Sequence, residues 1–377
     1  MKRTCILFFF FSMVFFSCIL PNENNNMNIN QNRESLYSDT LHGKEVKMYT
    51  LNNKQGMFVE FSNYGATVIS INVPNRDGKI ENVVLGYDSI GGYYAGKSYF
   101  GAIVGRFANR IANGKFTIDG VEYTAPLNNG KNTLHGGVNS IDKQVWDAKQ
   151  SDSSVVFSIV IPDGENGYPG EVKLAVSYTL NDDNEIVIDY HATTNKTTIL
   201  NVSNHTYFNL IGDPSQTILS HMLQLYAARF TPVDSTLIPT GELKEVNNTA
   251  FDFTTSKQIG RDVEMNDEQI ILGKGYDHNF VLNESSESIK PVAIVDEMAS
   301  GRRMEVYTTQ PGVQFYSGNF LDGTQQGRGT SFQKRSGFCL ETQFFPDSPN
   351  KPNFPSTILK PGETFISKTI YRFSTFK

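Results

Sequence analysis

The chain has 377 residues, 39% of them hydrophobic and 12% aromatic, so it can bury a sizeable core in one large domain or two smaller ones. Its formal charge is -6, with no cluster of lysines or arginines able to track a phosphate backbone, which argues against nucleic acid as a partner. Cysteine is limited to Cys5, Cys18 and Cys339, too few for a disulfide framework.

Met1, Lys2 and Arg3 make a basic start, followed by the apolar run CILFFFFSMVFFSCIL at 5–20, which Pro21 ends. A basic start and an apolar run shorter than the roughly 20 residues of a membrane span predict an export signal. Phe15, Phe16, Ser17 and Cys18 resemble the lipobox of bacterial lipoproteins, in which the signal is cut before a cysteine that then carries lipid. Phenylalanine stands where that box prefers leucine, and again where it prefers a small residue. The expectation is a signal peptide over 1–17 and a lipid on Cys18, in a protein exported and anchored to a bacterial membrane, facing the periplasm or cell surface. Loss of Lys2 and Arg3 would take the formal charge from -6 to -8, and Cys339 would stand alone, with no disulfide. The following NENNNMNINQN has almost no apolar content and cannot pack, so 18–42 reads as a flexible tether and a single domain is expected over 43–377.

Beyond residue 43 the segments alternate polar with apolar or are rich in β-branched and aromatic residues. MFVEFSN (57–63), ATVISINV (66–73) and VVFSIVI (155–161) read as strands. Phe116, Ile118, Val121 and Tyr123 flank Asp119-Gly120, and LAVSYTL (174–180) is joined to EIVIDYHA (185–192) by Asn-Asp-Asp-Asn, so both predict hairpins. No segment of ten residues carries a sustained helical stripe bounded by caps. The predicted fold is all-β, a large antiparallel β-sandwich with long loops. GGYYAGKS (91–98) fits the phosphate-cradling pattern G-x-x-x-x-G-K-[ST], but that loop must follow a buried parallel strand and open a helix, and neither neighbour is evident. It reads as a chance match, and no nucleotide is expected.

The six histidines form no compact zinc pattern, and no metal or cofactor is expected. Two have unusual settings: His135 in NNGKNTLHGG, where glycines and asparagines imply a turn, and His205 in LNVSNHTYFNL. Toward the C-terminus, GYDHNF, TTQPGVQFYSGNF and GFCLETQFFPD place Asp277, Gln314 and Glu341 beside aromatics. Glu341 interrupts an otherwise apolar strand, so it must be paired, set in a pocket, or turned to the strand's solvent face. Polar groups interleaved with Tyr and Phe suit a sugar, whose hydroxyls want hydrogen bonds and whose C–H faces want rings.

At these residues the chain resembles the aldose 1-epimerases, or galactose mutarotases. The resemblance runs from about residue 43 to the C-terminus and is carried by YFGAIVGRFANRIANGKF (99–116), NTLHGG (132–137), NVSNHTYFNL (201–210), GYDHNF (275–280), TTQPGVQFYSGNFLDG (308–323) and GFCLETQFFPDSPN (337–350). It implies the family's supersandwich and the exchange of α and β anomers of a free monosaccharide. It places the general base on Glu341, the general acid on His205, and sugar contacts on His135, Asn109, Arg110, Asp277 and Gln314. Phe344-Phe345 stand where many relatives have a tryptophan nearby, implying altered stacking or ligand size. A carboxylate beside His205 is expected to keep that imidazole protonated. The residues by themselves also allow a sugar-binding protein without turnover, or a glycoside hydrolase using Asp277 and Glu341. A sugar-phosphate epimerase is disfavoured because the motifs hold no basic cluster. The chain is expected to be a monomer.

Overall fold

Alternation with a period of two decides most of the architecture. In the computed structural model, which describes Met1 and residues 33–282 and 289–377, strand Ser154–Ile161 buries Val155, Phe157, Ile159 and Ile161 while Val156 and Val160 face outward. It lies second in a nine-stranded antiparallel sheet ordered Asp147–Gln150, Ser154–Ile161, Val172–Leu180, Glu185–Thr194, Phe365–Thr375, Arg302–Thr308, Lys290–Glu297, Met222–Leu225, Lys257–Gln258. A four-stranded sheet runs Met48–Asn52, Phe58–Ser62, Thr67–Pro74, Ile80–Asn82, and a five-stranded sheet runs Lys244–Glu245, Arg229–Phe230, Asp277–Val281, Gly312–Tyr316, Cys339–Gln343.

One continuous apolar cluster ties the three sheets together. It joins Val59 and Phe61 of the four-stranded sheet, Phe157, Val176 and Ile188 of the nine-stranded sheet, and Phe280, Phe315 and Leu340 of the five-stranded sheet. Burying each such side chain is worth roughly 1.5–3 kcal/mol, and the fold is the expected antiparallel β-sandwich. Trp146, the single tryptophan, is 1% exposed in that cluster and donates its indole N–H to the Ile141 carbonyl at 2.9 Å. Both predicted hairpins form. Lys115–Ile118 pairs with Val121–Thr124 around Asp119 and Gly120, which both take positive φ, and Val172–Leu180 pairs with Glu185–Thr194.

The nucleotide-like stretch runs in the wrong order for a phosphate loop. A six-residue helix, Ile90–Ala95, covers its first half and stops at Gly96, so Lys97 and Ser98 follow the helix instead of preceding it.

The export signal, Cys18 and the asparagine-rich run lie outside the described residues. The tether expected as far as 42 does not extend that far. Tyr37 is 1% exposed, packed beside Tyr93, and gives its hydroxyl to the Tyr87 carbonyl at 2.8 Å. Asp39–Leu41 pairs with Lys44–Val46. Arg33 forms an ion pair with Glu60, a carboxylate 4% exposed on Phe58–Ser62. A buried carboxylate is costly without a partner, so the cation embedded in the polar N-terminal run is recruited into the fold. Tyr37→Ala is predicted to cost roughly 3 kcal/mol, the scale of truncating a buried aromatic, read as a lower midpoint in urea denaturation. An unchanged midpoint would restore 33–42 to the tether.

Candidate active site

The strands Asp277–Val281, Gly312–Tyr316 and Cys339–Gln343 are buried on both faces. The register sets Asp277 opposite Tyr316, Tyr316 opposite Cys339, and Gln314 between Asn279 and Glu341. Cross-strand partners share a face, so alternation sends Phe280, Val313, Phe315 and Leu340 into the core and Asp277, Gln314, Cys339 and Glu341 to the opposite side. Glu341 is therefore not on a solvent-facing side of its strand: it is 2% exposed.

Above that polar face lies a cavity of about 660 Å³, lined by His205, Glu341, His135, Asn109, Arg110 and Asp277 among others. Six of the seven residues expected at a site thus meet around one space. Gln314 is set one layer back, its Nε2 donating to Asp277 Oδ1 at 2.8 Å. A larger groove of about 1080 Å³ contains none of the seven. Phe344 lines that other groove and Phe345 packs on Phe354, and neither lines the cavity. Both lie just past the end of Cys339–Gln343, where the chain turns away.

The loops that reach over the sheet are held in costly conformations. Asn109, His135 and Tyr99 all have left-handed φ, of 63°, 49° and 56°. Such residues cost of order 1–3 kcal/mol each and persist where surrounding structure fixes them. Here Asn109 and His135 fix each other: the His135 amide donates to the Asn109 carbonyl at 3.0 Å and the Asn109 amide donates to His135 Nδ1 at 3.2 Å. Gly136 must follow as glycine, because a Cβ there would collide with the Gly105 carbonyl and the Arg106 amide. Asn109 Oδ1 accepts the Arg110 amide at 2.9 Å, and Arg110 reaches Asn129 Oδ1 through Nε at 3.1 Å and Asp277 Oδ2 through Nη2 at 3.7 Å.

Across the cavity, His205 Nε2 stands 3.7 Å from Glu341 Oε1. Tyr207 stacks on the His205 ring at 5.1 Å and Tyr99 at 5.8 Å, while His135 meets it edge-on at 5.1 Å. Tyr99, Tyr207, Tyr316 and Cys339 are not among the site residues expected from the sequence. Their only signal is that they sit inside YFGA, NHTYF, QFYSG and FCLET, next to residues that were.

Burial dominates the electrostatics. It pushes the Glu341 carboxyl well above the usual range, helped by the charge of Asp277 and opposed by Arg110. It pushes His205 down to about 4, with its own backbone carbonyl pulling slightly upward, and His135 well below its ordinary value, helped by His205 and Arg110. Asp277 is raised by burial against the pull of Arg110 and Gln314. The expected protonated His205 is thus corrected: the low dielectric that disfavours both charges outweighs the attraction of its neighbour.

Dispersed in sequence, His135, His205 and Glu341 place one ligand atom each within 4.8 Å of one another. A metal needs a lone pair from each ligand. The Asn109 amide occupies Nδ1 of His135, so the neutral ring keeps its proton on Nε2 and offers the cavity a donor, which suits a hydroxyl oxygen.

An acid and a base facing across a polar, aromatic-lined cavity on an all-β scaffold define a sugar-directed acid–base catalyst as the class of protein. The aldose 1-epimerase family model matches residues 47–372, and this chain belongs to that family. It is 48% identical to bovine galactose mutarotase over 330 residues, 87% of this chain and 94% of that one. It is 41% identical to the aldose 1-epimerase of Escherichia coli K12 over 335 residues, 88% and 96% of the two chains. Among solved structures, the GalM/aldose epimerase homologue of C. elegans superposes with a TM-score of 0.82 at 31% identity, covering 88% of this chain and all of that one. The galactose 1-epimerase of Lactobacillus acidophilus gives 0.80 at 32% identity, covering 90% and 97%.

Arg110→Met would leave Asp277 buried without its cation. A loss of roughly 3 kcal/mol of stability is predicted, with a raised KM in anomer exchange. Denaturation and initial rates check this, and unchanged values for both would remove Arg110 from the anchoring role.

Proposed function

We propose that this chain interconverts the α and β anomers of free aldohexoses such as galactose and glucose, with Glu341 as general base and His205 as general acid. The observation that carries this reading is the 3.7 Å approach of His205 Nε2 to Glu341 Oε1 in one cavity.

The proton count fits the reaction. Ring opening takes the proton from the C1 hydroxyl and delivers another to the ring oxygen as the C1–O5 bond breaks and C1=O forms. Rotation about C1–C2 and reclosure reverse both transfers, so one base and one acid suffice and no electrons leave the sugar. A bound cyclic sugar meets Glu341 as carboxylate and His205 as imidazolium; after opening, Glu341 holds the proton and His205 is neutral. That second state is the one burial favours, so the cavity is matched to the open-chain form. The pair carries one exchangeable proton throughout. Arg110, Asn109 and Asp277 grip hydroxyls far from C1, and His135 donates from Nε2, which leaves C1 free to turn.

Freshly dissolved α-galactose and α-glucose followed by polarimetry test the reading. Glu341→Gln and His205→Asn are each predicted to lower kcat roughly 10²-fold or more. Wild-type exchange in both variants would remove the assignment.

We also propose that the protein is exported and tethered by lipid on Cys18, supported by the basic start, the apolar run and the lipobox-like FFSC. Metabolic labelling with a radioactive fatty acid should mark the wild-type chain and not Cys18→Ala; equal labelling, or none in either, refutes the anchor.

A further inference from the structure

His205 presents two nitrogens to two different surroundings. Nε2 faces Glu341 at 3.7 Å, and Nδ1 lies 3.6 Å from Cys339 Sγ. Cys339, noted in the sequence only as a cysteine without a disulfide partner, is wholly buried, is the one free cysteine among the described residues, and stands two positions before Glu341 on the same face of its strand.

We propose that Cys339 is a positioning residue for the acid: its sulfur accepts the Nδ1–H of His205 and so confines proton exchange to Nε2, the nitrogen that faces Glu341. The proposal rests on the epimerase reading and on the placement of the two ring nitrogens, Nε2 toward Glu341 and Nδ1 toward Cys339.

An imidazole that cycles between neutral and protonated at Nε2 must keep its other proton on Nδ1 throughout, and that N–H, buried, needs an acceptor. Burial and the charges of Glu341 and Asp277 hold Cys339 as the neutral thiol. A thiol can donate as well as accept, so the sulfur by itself does not fix the direction. The placement of the other nitrogen does: Nε2 faces Glu341, with which it exchanges a proton, so the standing proton is on Nδ1 and the sulfur accepts it. The remaining groups packed on the ring are Tyr99, Tyr207 and the edge of His135, with Arg110 and Asp277 further out. With Nδ1 protonated, neutral His205 offers a bare Nε2 to the proton on Glu341, and one proton passes between the two.

A thiol is also a mild choice of partner. A carboxylate at this position would bind the imidazolium strongly and make it a poor acid, whereas a neutral sulfur orients the ring without that penalty.

Nitrogen-15 NMR of the full chain labelled at histidine reads the tautomer directly. At neutral pH, wild type is expected to show His205 with a protonated Nδ1 and a bare Nε2. Cys339→Ser, whose hydroxyl accepts likewise, should keep that pattern and a near wild-type kcat. Cys339→Ala should show both tautomers, and its kcat should fall about tenfold, a part of the 10²–10⁴ a positioned acid contributes, with KM little changed. A bare Nδ1 in wild type overturns the proposal, and so does a Cys339→Ala protein with wild-type tautomer and kcat. The wild-type spectrum decides even if neither variant folds. Absence of any anomer exchange in wild type would instead refute the epimerase reading and leave the tautomer result standing.

Discussion

Two ionisable side chains buried 3.7 Å apart, Glu341 and His205, are the constraint on which the rest of the site depends. Glu341 and His205 are each disfavoured as ions by the cavity, yet the reaction we propose needs a carboxylate and an imidazolium when the cyclic sugar binds. The pair can meet both demands because its total proton count never changes; only the atom that holds the proton does. A solvent-exposed pair would lose this coupling, since each partner would exchange independently with water. His205 and Glu341 are 5% and 2% exposed, which limits that exchange.

The scaffold holds the two partners from different directions. Glu341 is fixed by the register of Cys339–Gln343 against Gly312–Tyr316, so a slip of one residue would turn it into the core and bring Leu340 or Thr342 to the cavity. His205 comes from a loop, its amide bonded to the Ala102 carbonyl and its carbonyl to the Gly101 amide, and aromatic rings hold its plane. The anchoring side is built by backbone geometry: left-handed Asn109 and His135 lock each other and bring Arg110 against Asp277.

Much of this was legible in the residues. The strands, both hairpins and the sandwich follow from alternation and turn chemistry, which are local. Glu341 drew notice because a carboxylate in an apolar strand has few explanations. That it would meet His205, 136 positions earlier in the chain, was not readable from spacing and came from resemblance to a family. The direction of the His205 shift was misjudged because a neighbouring charge is visible in sequence while depth of burial is not. Arg33 and Tyr37 were assigned to the tether for a similar reason: a polar stretch conceals one aromatic and one cation whose partners, Tyr87 and Glu60, lie far along the chain. Tyr99 and Tyr207 are ordinary aromatics until the fold stacks them on an imidazole.

The claim that Glu341 and His205 work as a single proton-sharing unit is tested most directly by combining Glu341→Gln with His205→Asn and comparing kcat of the double variant with those of the single ones. A unit predicts a double variant no slower than the more impaired single variant, because once either partner is lost the other has no proton to exchange. Losses that add in full, each substitution costing the same whether or not the other is present, would show two independent groups and contradict the account.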